Sequence, residues 1–516
     1  MFLNATHTSV GGTHTYVGRL VQWRPGLAVL VGYNVVVVVV VVAVWMELST
    51  LNKLSLRSRS ALRSSCDVRP NRSGMPMPTS TTAAWLGLVV ASTAQELLIT
   101  PEHFGAAGDG VTNDWLPIKQ ALAACASHSQ GCRVVFNNSY LSGPLVVNSS
   151  ATTLEIKGHL AMLPKSAYCK LDPSCRAPLI SNSPGADGCR MIAPAGSPAG
   201  GYRVCLRDVH LTGGGTVSSG GSLLDGWAWW DCARPIPLPN CPRPDLISFS
   251  EIEGLTIDNL SLLNSPNHNL RVQGVVGTRI RRLQVSAPYI SPNTDGVNFY
   301  GGWDQLMEDS VLDNGDDCIS VVPVGENLER CVTASTTDIL CSGGHVVVRN
   351  VTCNGGHGIS IGGIRHGNVH NVTFENITAT GGQLGSTQDQ EAGGGCRIKA
   401  RPNSTGLVSE IRYKDIELRD VFLPIQLFGS YCPWPCHTPP GNTSTLFANI
   451  SFDNVFGHGT QRDTVIEFQC SEHAPCENIT MRELNLVANG GKEGRVTCEN
   501  AVHLHFDGSS RPNACS

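Results

Sequence analysis

The sequence predicts an all-β fold, a parallel β-helix closed at its N-terminal end by one short helix. Short apolar segments with alternating polar residues recur along most of the 516-residue chain. From about residue 200 onward their spacing is mostly 20 to 27 residues. Helical periodicity is confined to one segment near residue 115, so the strands have no long helices to connect them. Stacked coils made of short parallel strands satisfy all three observations.

The single helix is predicted over residues 113–126. Asn113 or Asp114 supplies the N-cap, and Pro117 is tolerated in the first turn. The apolar residues that recur at helical spacing are Trp115, Ile118, Ala121, Leu122 and Cys125. Because the open end of a solenoid exposes its core, we expect this helix to cover the first coil.

Each later repeat contains a short alternating strand, an Asn or Asp turn, a second short strand and a Gly or polar turn. The second strands read "NLRV", "GVNF", "CISV", "GISI", "RIKA" and "PIQL". Asn and Asp tolerate the left-handed backbone conformation that tight corners need. Leucine-rich repeats have a similar period, but their L-x-x-L-x-L frame is missing.

The chain is predicted to divide into a leader, residues 1–94, and a single β-helix domain, residues 95–516. Residues 75–94 have the pattern of a signal peptide, with a short apolar run followed by Ser92 and Ala94 as small residues for cleavage. This pattern predicts export from the cell.

The first 74 residues are doubtful as part of the natural protein. Val35–Val42 is a homopolymer, which is more typical of a translated nucleotide repeat than of an evolved helix. The alternative is a signal anchor at residues 26–46, a stretch long enough to span a bilayer. Membrane association is expected only under this alternative.

Cysteine and sequon usage also indicate a secreted protein. The chain has 20 cysteines, several of them close together in sequence, which predicts disulfides and an oxidising compartment. Ten N-x-S/T triplets follow residue 130 and predict glycosylation: Asn137, Asn148, Asn259, Asn350, Asn371, Asn376, Asn403, Asn442, Asn449 and Asn478. A net charge of −5 with 15% charged residues gives no basic footprint for a nucleic-acid partner.

Three acidic residues are predicted to meet at one edge of the solenoid. When the second strands are aligned, Asp295, Asp317 and His357 each precede the first apolar residue by two positions, and Asp316 lies one step earlier. Residues one coil apart lie roughly 4.8 Å from each other, the spacing of neighbouring strands. A lone Asp at such a corner is usually a turn former, but a cluster of carboxylates is costly for a purely structural protein. The cluster therefore predicts a catalytic site.

Four motifs at this edge resemble the polygalacturonases, glycoside hydrolase family 28. They are "NTDG" at Asn293–Gly296, "GDDC" at Gly315–Cys318, "GHGISIGG" at Gly356–Gly363 and "RIKA" at Arg397–Ala400. The resemblance runs from residue 104 to the C terminus. It implies a right-handed parallel β-helix, also called the pectin-lyase-like solenoid, and hydrolysis of pectin.

The chain departs from the family pattern at two places. About forty residues separate "GDDC" from "GHG", a longer gap than usual, and they include Cys331 and Cys341. The resemblance implies a bridge between Cys318 and Cys353, but the two additional cysteines leave other pairings open. The segment "NHNL" stands where relatives often carry an aromatic residue, which bears on how a saccharide fits.

The resemblance assigns the catalytic roles. It implies inversion at the anomeric carbon, with Asp316 as general acid and with Asp295 and Asp317 holding and deprotonating a water molecule. Glycoside hydrolysis needs two such carboxyl functions. Crowding is expected to raise the pKa of one carboxyl group in the cluster and keep it protonated. His357 is expected to hydrogen-bond the acid and set its proton.

Arg397 and Lys399 alternate on one strand and therefore point to the same face. Two cations on a strand usually face solvent, but beside carboxylates they are better explained as receptors for a uronic-acid carboxylate, as the family uses them. Asn293 and Tyr431 are further substrate contacts implied by the resemblance. No cofactor or metal is expected. The histidines that lack ligand spacing are expected at the surface: His345, His366 and His370.

The predicted function is hydrolysis of α-1,4-linked galacturonan, or homogalacturonan, by a secreted monomeric glycoprotein of the cell wall. Three alternatives remain open. The first is a hydrolase of a branched pectin such as rhamnogalacturonan, the second a lyase on the same fold, and the third a β-helix that binds pectin without cutting it. The presence of Asp295, Asp316 and Asp317 argues against the non-catalytic alternative. Endo and exo action are not distinguished.

Overall fold

The computed structural model describes four short strands in the N-terminal part and residues 96–515 apart from ten gaps. The gaps are 129–130, 184–187, 196, 198–200, 221–227, 234–240, 325–340, 382–393, 433–441 and 460–462. The chain separates into two compact units, Met1–Ala94 and Gln95–Ser516. The predicted signal peptide at 75–94 and the additional Cys331 lie outside the described residues.

The described strands of the first unit form two antiparallel pairs. They are Ser9–Val10 (β1), Thr13–His14 (β2), Ala28–Gly32 (β3) and Val35–Val39 (β4). The pair β3 and β4 lies within the apolar stretch at 26–46. Among the helices that the structure describes, none is long and apolar enough to cross a membrane.

The second unit begins with short strands and two helices. The helices are Trp115–Ala126 (α1) and Lys165–Leu171 (α2). The strands are Leu97–Ile99 (β5), Asp109–Asn113 (β6), Cys132–Phe136 (β7), Ser139–Ser142 (β8), Leu145–Val147 (β9), Thr152–Ile156 (β10), His159–Met162 (β11), Ile180–Asn182 (β12), Arg190–Ile192 (β13), Tyr202–Val204 (β14), Leu206–Thr212 (β15) and Thr216–Ser218 (β16).

Long and short strands then alternate along the chain up to β31. They are Ile247–Ser250 (β17), Ile252–Leu263 (β18), Leu270–Gln273 (β19), Val276–Ser286 (β20), Val297–Tyr300 (β21), Trp303–Asn314 (β22), Asp317–Val322 (β23), Ser342–Gly355 (β24), Gly358–His366 (β25), Asn368–Thr380 (β26), Cys396–Thr405 (β27), Leu407–Val421 (β28), Ile425–Phe428 (β29), Leu446–Gly459 (β30), Thr464–Gln469 (β31), Cys476–Arg482 (β32), Asn485–Val487 (β33), Arg495–Glu499 (β34) and Ala501–Phe506 (β35).

Two large parallel sheets result from this alternation, and the predicted parallel β-helix is confirmed. The long strands β18, β20, β22, β24, β26, β28 and β30 pair in sequence order in one sheet. The short strands β17, β19, β21, β23, β25, β27, β29 and β31 pair in sequence order in the other. Each coil thus contributes one strand to each sheet. We call the sheet of short strands the site sheet, because the acidic residues lie at its edge.

Apolar columns run through the site sheet as the sequence predicts. Val297 pairs with Ile319, and Ile319 pairs with Ile359, so the predicted alignment of the second strands is correct. All three side chains are buried. The long strands bend at residues with positive φ, including Asn350 and Asn376, which is the left-handed corner role expected of Asn.

Helix α1 confirms the predicted N-terminal helix, although it begins at Trp115 rather than at residue 113. Its N-cap residue is Asp114, whose carboxylate accepts hydrogen bonds from the backbone N–H groups of Ala107 and Gly108. The predicted apolar face is buried at Ile118 and Leu122 and contacts β5, β7 and β9 of the first coils. Helix α2 is a short element that the repeat pattern did not predict.

The disulfide prediction is confirmed for most of the described cysteines, whereas Cys396 is a free, buried thiol. Four pairs that are close in sequence are bonded: Cys125–Cys132, Cys169–Cys175, Cys470–Cys476 and Cys498–Cys515. Cys318 is bonded to Cys353, the pairing that the family resemblance implied. This bridge fixes the start of β23, which carries Asp317, to the neighbouring long strand β24.

Candidate active site

The predicted acidic residues meet where the strands of the site sheet begin. Asp295 lies two residues before β21, Asp317 is the first residue of β23, and Asp316 comes immediately before it. His357 directly precedes β25. Asp295, Asp317 and His357 are only 7%, 5% and 9% exposed, so the cluster is largely shielded from water.

The imidazole of His357 contacts Asp316. Its Nδ1 lies 3.0 Å from Oδ1 of Asp316, and its backbone N–H donates to the carbonyl oxygen of the same residue at 2.8 Å. The aligned motifs placed His357 at the step of Asp317 instead. A register shift between Asp317 and Ile319 pairs Asp317 with Gly358, and this irregularity places His357 beside Asp316.

The two glycines that flank His357 determine its position. Gly356 and Gly358 both have positive φ, at 66° and 95°. A Cβ on Gly358 would lie 2.1 Å from the carbonyl oxygen of Gly394, and one on Gly356 would lie 2.1 Å from that of Asp316. The "GHG" motif is therefore a turn whose backbone passes too close to neighbouring coils for any other residue.

Asp317 has a separate set of partners. The ammonium of Lys399 on β27 lies 3.0 and 2.9 Å from its two carboxylate oxygens, and both side chains are almost fully buried. The hydroxyl of Ser360 donates to Oδ1 at 2.6 Å. One carboxylate oxygen of Asp316, one of Asp317 and one ring nitrogen of His357 also lie within 4.8 Å of one another. Lys399 supplies the positive charge nearest to this group.

The other residues predicted to contact substrate are Arg397, Tyr431 and Asn293. Arg397 is 2% exposed and donates from NH1 to the carbonyl oxygen of His357 at 3.2 Å and from Nε to Gln426 at 3.2 Å. The ring of Tyr431 is 5.1 Å from the Lys399 ammonium. Asn293 is exposed, has positive φ, and accepts a hydrogen bond from Arg243.

The pKa values of Asp295 and Asp316 are shifted in opposite directions by their surroundings. Burial, together with the charges of Asp316 and Asp317, raises the pKa of Asp295 to about 7 against the opposing effect of His268 and Lys399. Burial also disfavours the charged form of Asp316, but His357 and Lys399 outweigh it and hold its pKa well below the usual range. The raised pKa thus belongs to Asp295 and not to Asp316, the acid that the resemblance implies.

Sequence reasoning missed two charged residues in the preceding coils. Asp245 lies two residues before β17, and His268 lies two residues before β19, the same step that identified Asp295. His268 is in contact with Asp245 and close to Asp295. Extending the alignment by two coils toward the N terminus would have found both.

The histidines expected at the surface are partly buried and have partners. Nε2 of His345 and Nε2 of His370 are 3.0 Å apart, and His345 also faces the ring of Trp303. Nδ1 of His366 lies 3.1 Å from the hydroxyl of Thr405. These contacts lie on β24, β25, β26 and β27, outside the acidic cluster.

Comparison with known proteins identifies the family. The sequence model described as "Glycosyl hydrolases family 28" matches residues 204–510, more than half of the chain. The chain belongs to glycosyl hydrolase family 28. This membership makes it a glycosidase and agrees with the resemblance carried by the four motifs.

Individual members of family 28 are similar over much of this chain. Polygalacturonase-2 of Solanum lycopersicum is 28% identical over 78% of this chain and 77% of its own length. The polygalacturonase of Persea americana is 30% identical over 58% of each protein. The crystal structure of a hyperthermoactive exopolygalacturonase from Thermotoga maritima superimposes with a TM-score of 0.58 at 17% identity, covering 77% of this chain and 92% of that one. The shared fold is a right-handed parallel β-helix.

Proposed function

We propose that the chain is a secreted polygalacturonase that hydrolyses α-1,4-linked galacturonan of plant cell walls with inversion. The observation that carries this proposal is the meeting of Asp295, Asp316 and Asp317 at one edge of the site sheet, with the Lys399 ammonium of β27 in contact with Asp317. Family membership supports glycoside hydrolysis, and the names of the relatives support the substrate.

The first chemical step in this proposal is proton donation to the leaving glycosidic oxygen. Asp316 is the donor, and its contact with His357 lets the two groups hold one proton between them. Because the two groups titrate as a pair, the proton that they share reaches the Asp316 carboxyl and passes from it to the leaving oxygen. His357 then serves as the group that delivers or retains that proton.

The second step is attack by water on the opposite face of the sugar. Asp295 has a raised pKa and is a stronger base than Asp316, so it removes the proton from the attacking water. Asp317, held by Lys399 and Ser360, fixes the position of that water. Inverting glycosidases need carboxyl groups separated by roughly 6.5–9.5 Å to admit a water molecule.

Cations on β27 account for recognition of a uronate. The Lys399 ammonium lies 5.1 Å and the Arg401 guanidinium 5.9 Å from the centroid of the Tyr431 ring. Arg397 supports His357 through its carbonyl oxygen and is the guanidinium proposed to sense the substrate carboxylate. Arg binds carboxylates with two parallel hydrogen bonds, so it favours a galacturonate unit over a neutral sugar.

The replacement Asp316→Asn tests the assigned acid. Asparagine keeps the shape of the side chain but cannot donate the required proton, so kcat on polygalacturonate should fall by about 10²–10⁴-fold. The loss of one negative charge beside Asp295 should also lower its pKa and move the acid limb of residual activity to lower pH. Initial rates of reducing-end release over a pH series measure both effects.

The control for this test is Asp304→Asn, which makes the same chemical change on an exposed side chain paired with Arg279. It should leave kcat unchanged. Proton NMR of the fresh product should show the β-anomer first, because inversion of an α-link gives that configuration. An α-anomer appearing first, or nearly normal kcat in Asp316→Asn, would contradict the assignments. Release of unsaturated products would indicate a lyase.

A further inference from the structure

A histidine lies between two carboxylates in the coils that precede the acidic cluster. Nδ1 of His268 is 3.0 Å from Oδ1 of Asp245, and its Nε2 is 3.8 Å from Oδ1 of Asp295. The three residues occupy the same step of consecutive coils, two positions before β17, β19 and β21. The imidazole therefore contacts Asp245 through Nδ1 and faces Asp295 with Nε2 at ion-pair distance.

Neighbouring groups hold this arrangement in place. The carbonyl oxygen of His268 accepts hydrogen bonds from the Ser265 hydroxyl at 2.8 Å and from the Leu246 N–H at 3.0 Å. The side-chain amide of Asn267 donates to Oδ1 of Asp245 at 2.8 Å. The side chains of Asp245, His268 and Asp295 are 8%, 17% and 10% exposed, so little water is available to replace these contacts.

We propose that His268 is a positioning residue whose positive charge favours the carboxylate form of Asp295, the form that accepts a proton from water. The inference rests on the proposed function, in which Asp295 is the base. The role follows from geometry: a buried carboxylate needs a compensating charge, and the Nε2 face of His268 supplies it from the side opposite Asp316 and Asp317. Asp245 orients the ring through Nδ1, as a carboxylate commonly does for histidine.

The charges around Asp295 agree with this role. Burial disfavours the imidazolium, but Asp295 and Asp245 outweigh it and raise the pKa of His268 to about 9. Burial also opposes ionisation of Asp245, yet His268 and Arg271 lower its pKa to about 2. The charged groups that act directly on Asp295 are the cations His268 and Lys399 and the anions Asp316 and Asp317. Arg243, Asp245 and Arg271 are further charged neighbours of this group.

The test is the pH dependence of kcat/KM on polygalacturonate for wild type and His268→Gln. Glutamine keeps a polar side chain but carries no charge, so the pKa of Asp295 should rise and the acid limb should move to higher pH by about one unit. One unit below the wild-type limb, the variant should therefore lose roughly tenfold more activity than on its plateau.

His345→Gln is the matched control, since His345 contacts His370 and Trp303 and, within the described part of the chain, lies outside the acidic cluster. Its pH profile should match wild type. A purely structural role for His268 would lower the plateau of His268→Gln and leave the limb in place, and that result overturns the inference. An acid limb shifted to higher pH, with a plateau kcat/KM within a few-fold of wild type, supports the inference.

A second measurement does not depend on activity. In protein labelled with ¹⁵N-histidine, the ring signals lost in His268→Gln identify His268, and they should keep imidazolium shifts through pH 8. Titration near pH 6.5 would overturn the proposed protonation state. If wild type does not hydrolyse polygalacturonate, the proposed function is wrong and the inference falls with it. An active enzyme whose limb does not move overturns the inference alone.

Discussion

At the residue scale, the site is a run of unlike charges stacked along one sheet edge. Asp245 is followed by His268, then by Asp295, and the next coils add the carboxylates at 316–317, then His357 and Lys399. Burying like charges together is costly, and each described carboxylate here has a cation within reach. These cations let the protein keep four carboxylates close together, with the pKa raised at Asp295 and lowered at Asp245 and Asp316.

The pKa of Asp245 predicts a pH-dependent contribution to stability. Its folded-state pKa is about 2, below the ordinary value of 3.8, so the stabilisation is complete above pH 3.8 and is lost as pH falls through 2. Asp245→Asn should therefore lower the free energy of unfolding by about 2 kcal/mol at pH 6. Urea unfolding at pH 6 and pH 3 should show the difference from wild type shrinking at the lower pH. A constant difference at both values would assign the loss to packing instead.

At the element scale, the turns decide where each functional side chain points. His357 is presented by a turn whose flanking glycines pass close to carbonyl oxygens of adjacent coils. The bulge at Asp317 shifts the register of β23 against β25 by the amount that brings His357 to Asp316. Short strands with specific corners thus do the positioning that longer loops do in other folds.

Gly358→Ala tests this requirement. A Cβ there would lie 2.1 and 2.3 Å from the carbonyl oxygens of Gly394 and Gly395, in addition to the cost of positive φ. We expect a loss of stability of about 3 kcal/mol or more and a large loss of activity through displacement of His357. The matched control is Gly105→Ala, which has φ of 89° and no atom within 4 Å of the added Cβ.

The control should lose only about 1 kcal/mol, the cost of the left-handed conformation alone. Thermal unfolding and initial rates on polygalacturonate measure the two variants side by side. Equal losses of stability in Gly358→Ala and Gly105→Ala would show that the close approach to the carbonyl oxygens of Gly394 and Gly395 is not the reason that position 358 needs glycine.

At the scale of the whole molecule, one long core runs through stacked coils. Each coil adds one strand to each sheet, and its inward residues extend the apolar columns of the coil below. Because every coil contacts mainly its neighbours, the site needs consecutive coils in correct register rather than distant segments. The capping helix α1 shields the first coil of this core.

We predict that residues 95–516 are sufficient for activity. All four motifs and the described cluster lie in the compact unit Gln95–Ser516. A secreted chain of residues 95–516 should hydrolyse polygalacturonate with kcat/KM within about twofold of the full chain, since no site residue is removed. A folded but inactive 95–516 chain beside an active full chain would show that the leader contributes to function.

The sequence by itself determined the repeating architecture, the N-terminal helix and which acidic residues lie together at one strand edge. These features depend on local rules: apolar residues at every second position along strands, helical spacing in one segment, and Asn or Asp at left-handed corners. Repetition strengthens them, because one correct alignment of second strands fixes the column through Val297, Ile319 and Ile359. The same alignment brings Asp295 and Asp317 to one edge.

Only the tertiary structure decided which partner each of these groups has. A register shift of one residue at Asp317 places His357 beside Asp316, and the motif spacing does not encode that shift. The raised pKa falls on Asp295 because it is buried next to two other carboxylates, whereas His357 lowers that of Asp316. Burial and charge depend on every neighbour within a few ångströms, including His268 and its contact with Asp245. Such distances follow from how the coils stack, so the spacing of residues along the chain leaves them undetermined.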